Sequence, residues 1–229
     1  MIKWLSLTIL IFCFACTNDD IFQNEKAGFT NIYKNILLRS LSIEEKKLPS
    51  SKTVYNKKWL SKYSQPIIAL SSPNHTDRAT LVALGNQNDK LTWVSADGLS
   101  VSFDNGILIA TRGYSQDLME SQSDGINSIF NQITKAHYKT YRYLNGQNEY
   151  REMTFSCTMA YKEDTAFSLL DLTLNTTKFT ESCKSGPSQH TNIYYVLPNT
   201  NIVLKSQQWI SETNGYIDVY NYYAFQGNI

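Results

Sequence analysis

The fold is decided by the stretch from Trp93 to Leu118, WVSADGLSVSFDNGILIATRGYSQDL. Two glycines in this stretch, Gly98 and Gly106, each follow an Asp or Asn, which is typical of tight turns between strands. Apolar and polar residues alternate from Leu99 to Asp104, whereas the run from Ile107 to Ala110 is continuously apolar. The stretch therefore predicts three antiparallel strands, one half exposed and the next covered on both faces.

The rest of the chain carries further strand signals of the same kind. Asn145-Gly146 and Asn214-Gly215 predict two more hairpins, and the Gly85-Asn86 pair predicts a turn after an early strand. About a dozen strands joined by short turns favour a mostly β fold, an antiparallel meander forming a sandwich or an open half-barrel sheet. The strands expected outside the opening stretch are Ile67 to Leu70, Ala79 to Leu84, His137 to Leu144, Gln147 to Phe155, Ala166 to Leu174, Thr176 to Cys183, Asn192 to Leu197, Ile202 to Ile210 and Tyr216 to Tyr223.

Two segments have helical rather than strand periodicity. From Glu25 to Ile43, apolar residues recur three and four positions apart, beginning at Phe29, which predicts an N-terminal helix packed on a core. The segment from Ile126 to Ile133 has the same spacing, and Asp124 is placed as its N-cap, so a short mid-chain helix is expected. Residues 25–229 are expected to form a single β-rich domain.

The first residues resemble a bacterial lipoprotein leader. Lys3 gives a positive start, an apolar core follows, and Ala15-Cys16 matches the small residue and cysteine of a lipobox, although Cys13 stands where lipoboxes usually have Leu. The expected division is a signal peptide over residues 1–15 and a lipidated tether over residues 16–24, with Cys16 carrying the lipid that holds the protein to the membrane. Because Thr17 follows the cysteine rather than Asp, the resemblance implies an outer-membrane address. The alternative is a plain cleaved signal that leaves Cys16 as a free thiol.

Charge and cysteine content exclude several classes of function. The 21 basic and 20 acidic residues nearly cancel, so no basic field indicates nucleic-acid binding. Once Cys13 and Cys16 are assigned to the leader and the lipid, Cys157 and Cys183 remain, and in an oxidising compartment they are expected to form a structural disulfide. A metal or redox site is the rival interpretation, but the chain lacks a C-x-x-C and its three histidines are scattered. No metal and no cofactor are expected.

No catalytic motif is present in the sequence. It has no G-x-S-x-G, no H-E-x-x-H and no P-loop, so the chain is not expected to be an enzyme. Glu181, in a predicted strand, is interpreted as a strand-face residue paired with Lys or Arg rather than as a general acid. Tyrosines crowd the second half, where they can tile a half-buried sheet or stack on sugar rings. The candidate saccharide or partner contacts are Tyr194, Tyr195, Trp209 and Arg112.

Two places resemble the group 4 capsule polysaccharide lipoprotein family (YjbF/GfcB). The first comprises Trp93 to Gly98, Asn105-Gly106, Thr111 to Gly113 and Asp117-Leu118; the second comprises Glu181 to Cys183, Asn192 to Tyr195 and Lys205 to Trp209. The resemblance implies an outer-membrane lipoprotein of capsule or exopolysaccharide export, with an antiparallel β fold and no known catalytic residues. The expected function is a non-catalytic accessory that docks export proteins. The alternative is a carbohydrate-binding module that grips the polysaccharide through exposed Tyr and Trp.

Overall fold

A computed structural model of the chain describes residues 55–73, 78–87, 90–124, 130, 136–144 and 149–226. The expected signal peptide, Cys16, the tether and the helix from Glu25 to Ile43 lie outside these residues, and so does the mid-chain helix apart from Phe130. The elements are α1 (Lys57–Leu60), β1 (Ile67–Ser71), β2 (Ala79–Gln87), β3 (Lys90–Val94), β4 (Ser100–Asp104), β5 (Ile107–Arg112), β6 (Leu118–Ser123), β7 (Ala136–Leu144), β8 (Tyr150–Leu169), β9 (Leu172–Ser185), β10 (Ser188–Val196), β11 (Val203–Ser211), β12 (Gly215–Asn221) and a 3-10 turn (Tyr223–Phe225).

The strands form one 12-stranded antiparallel sheet in the order β5-β4-β3-β2-β1-β12-β11-β10-β9-β8-β7-β6. Almost every neighbour in this order is also a neighbour along the chain, as in a meander. The exception is the pairing of β1 with β12, in which Ala69 lies opposite Tyr220. This pairing joins the first and last strands of the described chain, so that all twelve strands belong to one continuous sheet.

The sheet is curved so strongly that its two edge strands, β5 and β6, lie side by side. Side chains join them where β6 begins: Thr111 Oγ1 accepts the amide N–H of Leu118 at 2.9 Å, and the Arg112 guanidinium donates to the Leu118 carbonyl at 3.1 Å. The result is a nearly closed barrel. The prediction of about a dozen antiparallel strands is confirmed, and the sandwich alternative is wrong because the meander curls into one continuous sheet.

The barrel is filled by two apolar clusters with polar side chains between them. On β9, Cys183 belongs to the larger cluster with Trp93, Tyr141 and Phe155, whereas Phe179 belongs to the smaller cluster. Glu181 lies between these two residues on the same inward face, because alternate residues of a strand share a face. The polar side chains that surround it are described with the candidate site.

A third apolar cluster lies on the outside of the barrel. Strand β1 is buried throughout, and its outward residues, Ile67 and Ala69, pack with Trp59 of α1 and with Leu170. Asn56 caps the N-terminus of the helix, because its side chain accepts the Trp59 amide N–H at 2.7 Å. The far end of the β8–β9 hairpin therefore reaches across the outer surface to α1.

Two local predictions are wrong, and one strand was not predicted. Gly85 lies within β2 at a bulge, not in a turn. The polar segment Leu118–Ser123 is a strand, β6, that the sequence did not predict. The segment from Ala166 to Leu174 contains a tight turn at Leu170-Asp171, where both residues have positive φ (56° and 62°) without a glycine. Burial of Leu170 against the outer cluster accounts for a turn that local sequence does not signal.

Candidate functional site

Five inward-facing side chains form an interior polar cluster: Glu181, His137, Lys139, Asn192 and Tyr194. Strand pairing places them together. Glu181 on β9 lies directly opposite Asn192 on β10, with Tyr194 two positions further along that strand. His137 and Lys139 share the inward face of β7, the second strand on the other side of β9. Each of the five side chains is buried.

Glu181 accepts hydrogen bonds from the other four members. Its Oε1 lies 2.9 Å from His137 Nε2, and its Oε2 lies 3.0 Å from Lys139 Nζ. The same Oε2 accepts from Asn192 Nδ2 at 2.7 Å and from the Tyr194 hydroxyl at 3.0 Å. A buried carboxylate is tolerated when it is paired and fully hydrogen-bonded, and both conditions hold here.

The surroundings keep this carboxyl ionised. Burial by itself raises the pKa of Glu181, but the positive charge of Lys139 and the hydrogen bonds from His137, Asn192 and Lys139 hold it well below its usual range. In Tyr194, burial and the nearby Glu181 charge raise the pKa of the hydroxyl well above its usual value, so it remains a donor. A carboxylate with such a low pKa, sealed from solvent, is not suited to act as a general acid.

Polar contacts extend from the cluster to two other strands. The β10–β11 ladder ends at Ile193 and Gln207, and beyond this point Asn192 Oδ1 accepts the Trp209 amide N–H at 2.7 Å. Gln208 reaches further across the interior: its Nε2 donates to the Gly106 carbonyl at 2.8 Å, and its Oε1 accepts the Leu108 amide at 2.8 Å. These bonds tie β11 to the turn before β5.

A histidine beside the cluster is held neutral by its surroundings. The His190 ring stacks on Trp209, with centroids 4.3 Å apart, and its Nε2 lies 3.2 Å from the Tyr141 hydroxyl. Burial, together with the charge of Lys139, lowers the pKa of His190 to about 4, although Glu181 acts in the opposite direction. The ring is therefore an aromatic packing element at neutral pH.

The predicted disulfide is present, because Cys157 and Cys183 are joined between the paired strands β8 and β9. His137, Cys157 and Glu181 could each offer a ligand atom to a cation, and these atoms all lie within 4.8 Å of one another. However, metals bind the cysteine thiolate, and the sulfur of Cys157 is oxidised. Lys139 also places a positive charge on the same carboxylate. In the disulfide form, this donor set does not suit a metal ion.

The four predicted contact residues are not brought together on one surface. Tyr194 is fully buried and Trp209 is 6% exposed, so neither can stack on a saccharide outside the barrel, and their assignment as contacts is wrong. Tyr195 points outward and is half-buried, with its ring stacked on Phe167. Arg112 is exposed, and its guanidinium donates to the carbonyls of Thr111 and Leu118, so it fastens the join between β5 and β6.

The interior polar cluster was missed because its members are distant in sequence. Glu181 was expected on a strand face beside Lys or Arg, and it does pair with Lys139, but inside the barrel. A signal existed in β7, where His137 and Lys139 have the same parity as the buried Tyr141 and Tyr143. Polar residues in phase with an aromatic stripe indicate an interior polar site.

Sequence and fold comparisons agree with this architecture. A family model described as group 4 capsule polysaccharide lipoprotein gfcB, YjbF matches residues 38–220. The chain therefore belongs to this family. No curated protein matches the sequence.

One similar solved structure is the crystal structure of the hypothetical lipoprotein YmcC from Escherichia coli (K12). The two are 17% identical with a TM-score of 0.63, over 71% of this chain and 86% of that one. The likeness supports the fold. Within the part of the chain that the structure describes, no helix combines the length and apolar character needed to span a bilayer.

Proposed function

We propose that this chain is a non-catalytic, lipid-anchored accessory protein of capsule or exopolysaccharide assembly or export at the outer membrane. The observation that carries the proposal is the match of residues 38–220 to the capsule polysaccharide lipoprotein family. The leader supports the anchor, because Ala15-Cys16 fits a lipobox. Partner export proteins would dock on the outer surface of the sheet.

The chemistry of the interior polar cluster supports a role without catalysis. Glu181 is the group most suited by type to acid or base chemistry, yet four donors on this chain occupy both of its oxygens. A general acid or base must lie within hydrogen-bond reach of a substrate proton. The cluster therefore serves the packing and registration of the strands.

The test is deletion of the gene in its host, with polysaccharide measured on cells and in the medium. Complementation uses the wild-type gene, Cys16→Ser and, as a matched control, Cys13→Ser, which changes a leader cysteine outside the lipidation position. The proposal expects the wild type and Cys13→Ser to restore polysaccharide and Cys16→Ser to fail. Unchanged polysaccharide in the deletion strain would overturn the proposal.

A further inference from the structure

One outward row of side chains crosses four neighbouring strands. Lys178 on β9 lies opposite Tyr195 on β10, Tyr195 lies opposite Lys205 on β11, and Lys205 lies opposite Tyr220 on β12. Arg78, just before β2, completes the row, because its guanidinium carbon lies 3.7 Å from the Tyr220 ring centroid. These five residues are called the cation–aromatic row, and cations and rings alternate along it.

The ammonium groups lie close to the rings between them. Lys205 Nζ is 5.8 Å from the centroid of Tyr195 and 5.2 Å from that of Tyr220, and Lys178 Nζ is 6.0 Å from Tyr195. All five side chains are half-buried on the outside of the barrel. Phe167, near the C-terminal end of β8, stacks on the Tyr195 ring and adds an apolar side chain beside the row.

The positive charge of the row is only partly compensated. Lys178 pairs with Glu163 at 3.2 Å. Among the described residues, no carboxylate lies within ion-pair distance of Lys205 or Arg78; the Arg78 guanidinium instead donates to the Tyr222 hydroxyl at 2.7 Å. Burial raises the pKa of Tyr222 even though Arg78 lowers it, so this hydroxyl stays neutral. Lys205 and Arg78, which lie beside the row's tyrosine rings, can therefore form ion pairs with an anionic partner.

The nearby acidic side chain on the same face does not cancel these charges. Asp218 lies two positions from Tyr220 on β12 and accepts a hydrogen bond from Gln207 at 3.0 Å. Within the described chain it makes no ion pair with Lys205 or Arg78. With the carboxylates of Glu163 and Asp218 counted against its three cations, the row keeps one net positive charge.

We infer that the cation–aromatic row binds an acidic polysaccharide, a chain of sugars that carry carboxylates. Lys and Arg form charge-assisted hydrogen bonds with carboxylates, and tyrosine rings offer amphipathic surface to sugars. The two cations without an ion pair among the described residues, Lys205 and Arg78, both lie beside the Tyr220 ring, so a sugar carboxylate and a sugar face can be contacted at the same place. The inference rests on the proposed function and adds the chemical class of the polymer to it.

The experiment measures binding of the purified full chain to polygalacturonate at low salt, with its methyl-esterified form as a neutral probe. The variant Arg78→Gln/Lys205→Gln should lose affinity by about tenfold, because two charge-assisted contacts are removed. The matched control, Lys62→Gln/Lys184→Gln, removes two exposed lysines elsewhere and should bind like the wild type. Lys205→Arg keeps the charge and should also bind. Thermal unfolding confirms that each variant is folded.

Several results would overturn the inference. These are no binding of polygalacturonate by the wild type, equal binding of the neutral ester, or equal loss in the control variant. Binding to phosphatidylglycerol vesicles without binding to the polymer would assign the row to a membrane surface instead. The polysaccharide of the deletion strain is measured separately. If the deletion strain lacks polysaccharide but the purified protein does not bind the polymer, the row is not a polysaccharide site and the accessory role is retained.

Discussion

Glu181 and Lys139 form an ion pair across the interior of the barrel, with Nζ and Oε2 3.0 Å apart and both side chains at most 1% exposed. Such a pair contributes little net stability compared with apolar residues of the same shape, but breaking it leaves one buried charge uncompensated. We expect Glu181→Gln to lower the free energy of unfolding by about 3 to 5 kcal/mol. Urea denaturation followed by far-UV circular dichroism measures the change.

The double variant Glu181→Gln/Lys139→Met separates this explanation from simple loss of packing. It removes both charges together, so its destabilisation should be smaller than the sum of those of the two single variants. Additive losses would show that the pair is not coupled.

The disulfide between Cys157 and Cys183 closes a segment with a sequence separation of 26. In the chain-entropy model, removing such a cross-link lowers the free energy of unfolding by roughly 3 kcal/mol. The variant Cys157→Ser/Cys183→Ser should therefore show a lower urea midpoint than the wild type. Reductant should lower the wild-type midpoint and leave the variant unchanged, and an equal response of both would contradict the assignment.

His190 should make stability depend on pH. Its pKa falls from 6.5 to about 4 on folding, so between these values the unfolded chain binds the proton more readily. Above about pH 7, His190 is neutral in both states and does not affect the free energy of unfolding. As the pH falls towards 4, protonation of the unfolded chain lowers this free energy by roughly 3 kcal/mol at most. His190→Phe retains an aromatic ring for the stack on Trp209, and its unfolding free energy should fall less over this range. If the unfolding free energies of His190→Phe and the wild type fell equally with pH, the prediction would be wrong.

The two turn glycines of the opening stretch should respond differently to substitution. Both have positive φ, 81° at Gly106 and 91° at Gly98. A Cβ at Gly106 would lie 2.6 Å from Val203 Cγ2 and 2.8 Å from Val203 Cβ, whereas one at Gly98 would meet open space. We expect Gly98→Ala to cost about 1 kcal/mol from backbone strain alone and Gly106→Ala about 3 kcal/mol from strain plus overpacking. Equal shifts in the urea midpoint would contradict this account.

How far the sequence predicts the fold depends on whether the determining contacts are local. Asn105-Gly106 and Asn214-Gly215 are local signals, and strands flank both pairs as predicted. The turn at Leu170-Asp171 has no such signal, because burial of Leu170 on a distant helix stabilises it. The predicted strand count agreed with the structure although β6 was missed and β8 was divided in two.

The candidate site was less accessible to sequence reasoning than the fold. The alternation in β10 shows that Tyr194 and Tyr195 lie on opposite faces, but tyrosine suits either face because its ring is apolar and its hydroxyl polar. Which tyrosine faces the interior depends on the neighbouring side chains. Tyr194 donates to Glu181 inside the barrel, whereas Tyr195 lies between two lysines on the outer surface. The partners of Glu181 on β7 lie more than 40 positions away, at sequence separations of 44 and 42, and no spacing rule connects them.

The central claim is an accessory role in capsule or exopolysaccharide export without catalysis by this chain. The most direct measurement is the surface polysaccharide of the deletion strain carrying Glu181→Gln/Lys139→Met, compared with wild-type complementation at equal protein level in the membrane fraction. The account predicts wild-type polysaccharide, because the interior polar cluster supports structure rather than chemistry. Loss of polysaccharide with a folded, normally anchored variant would contradict it.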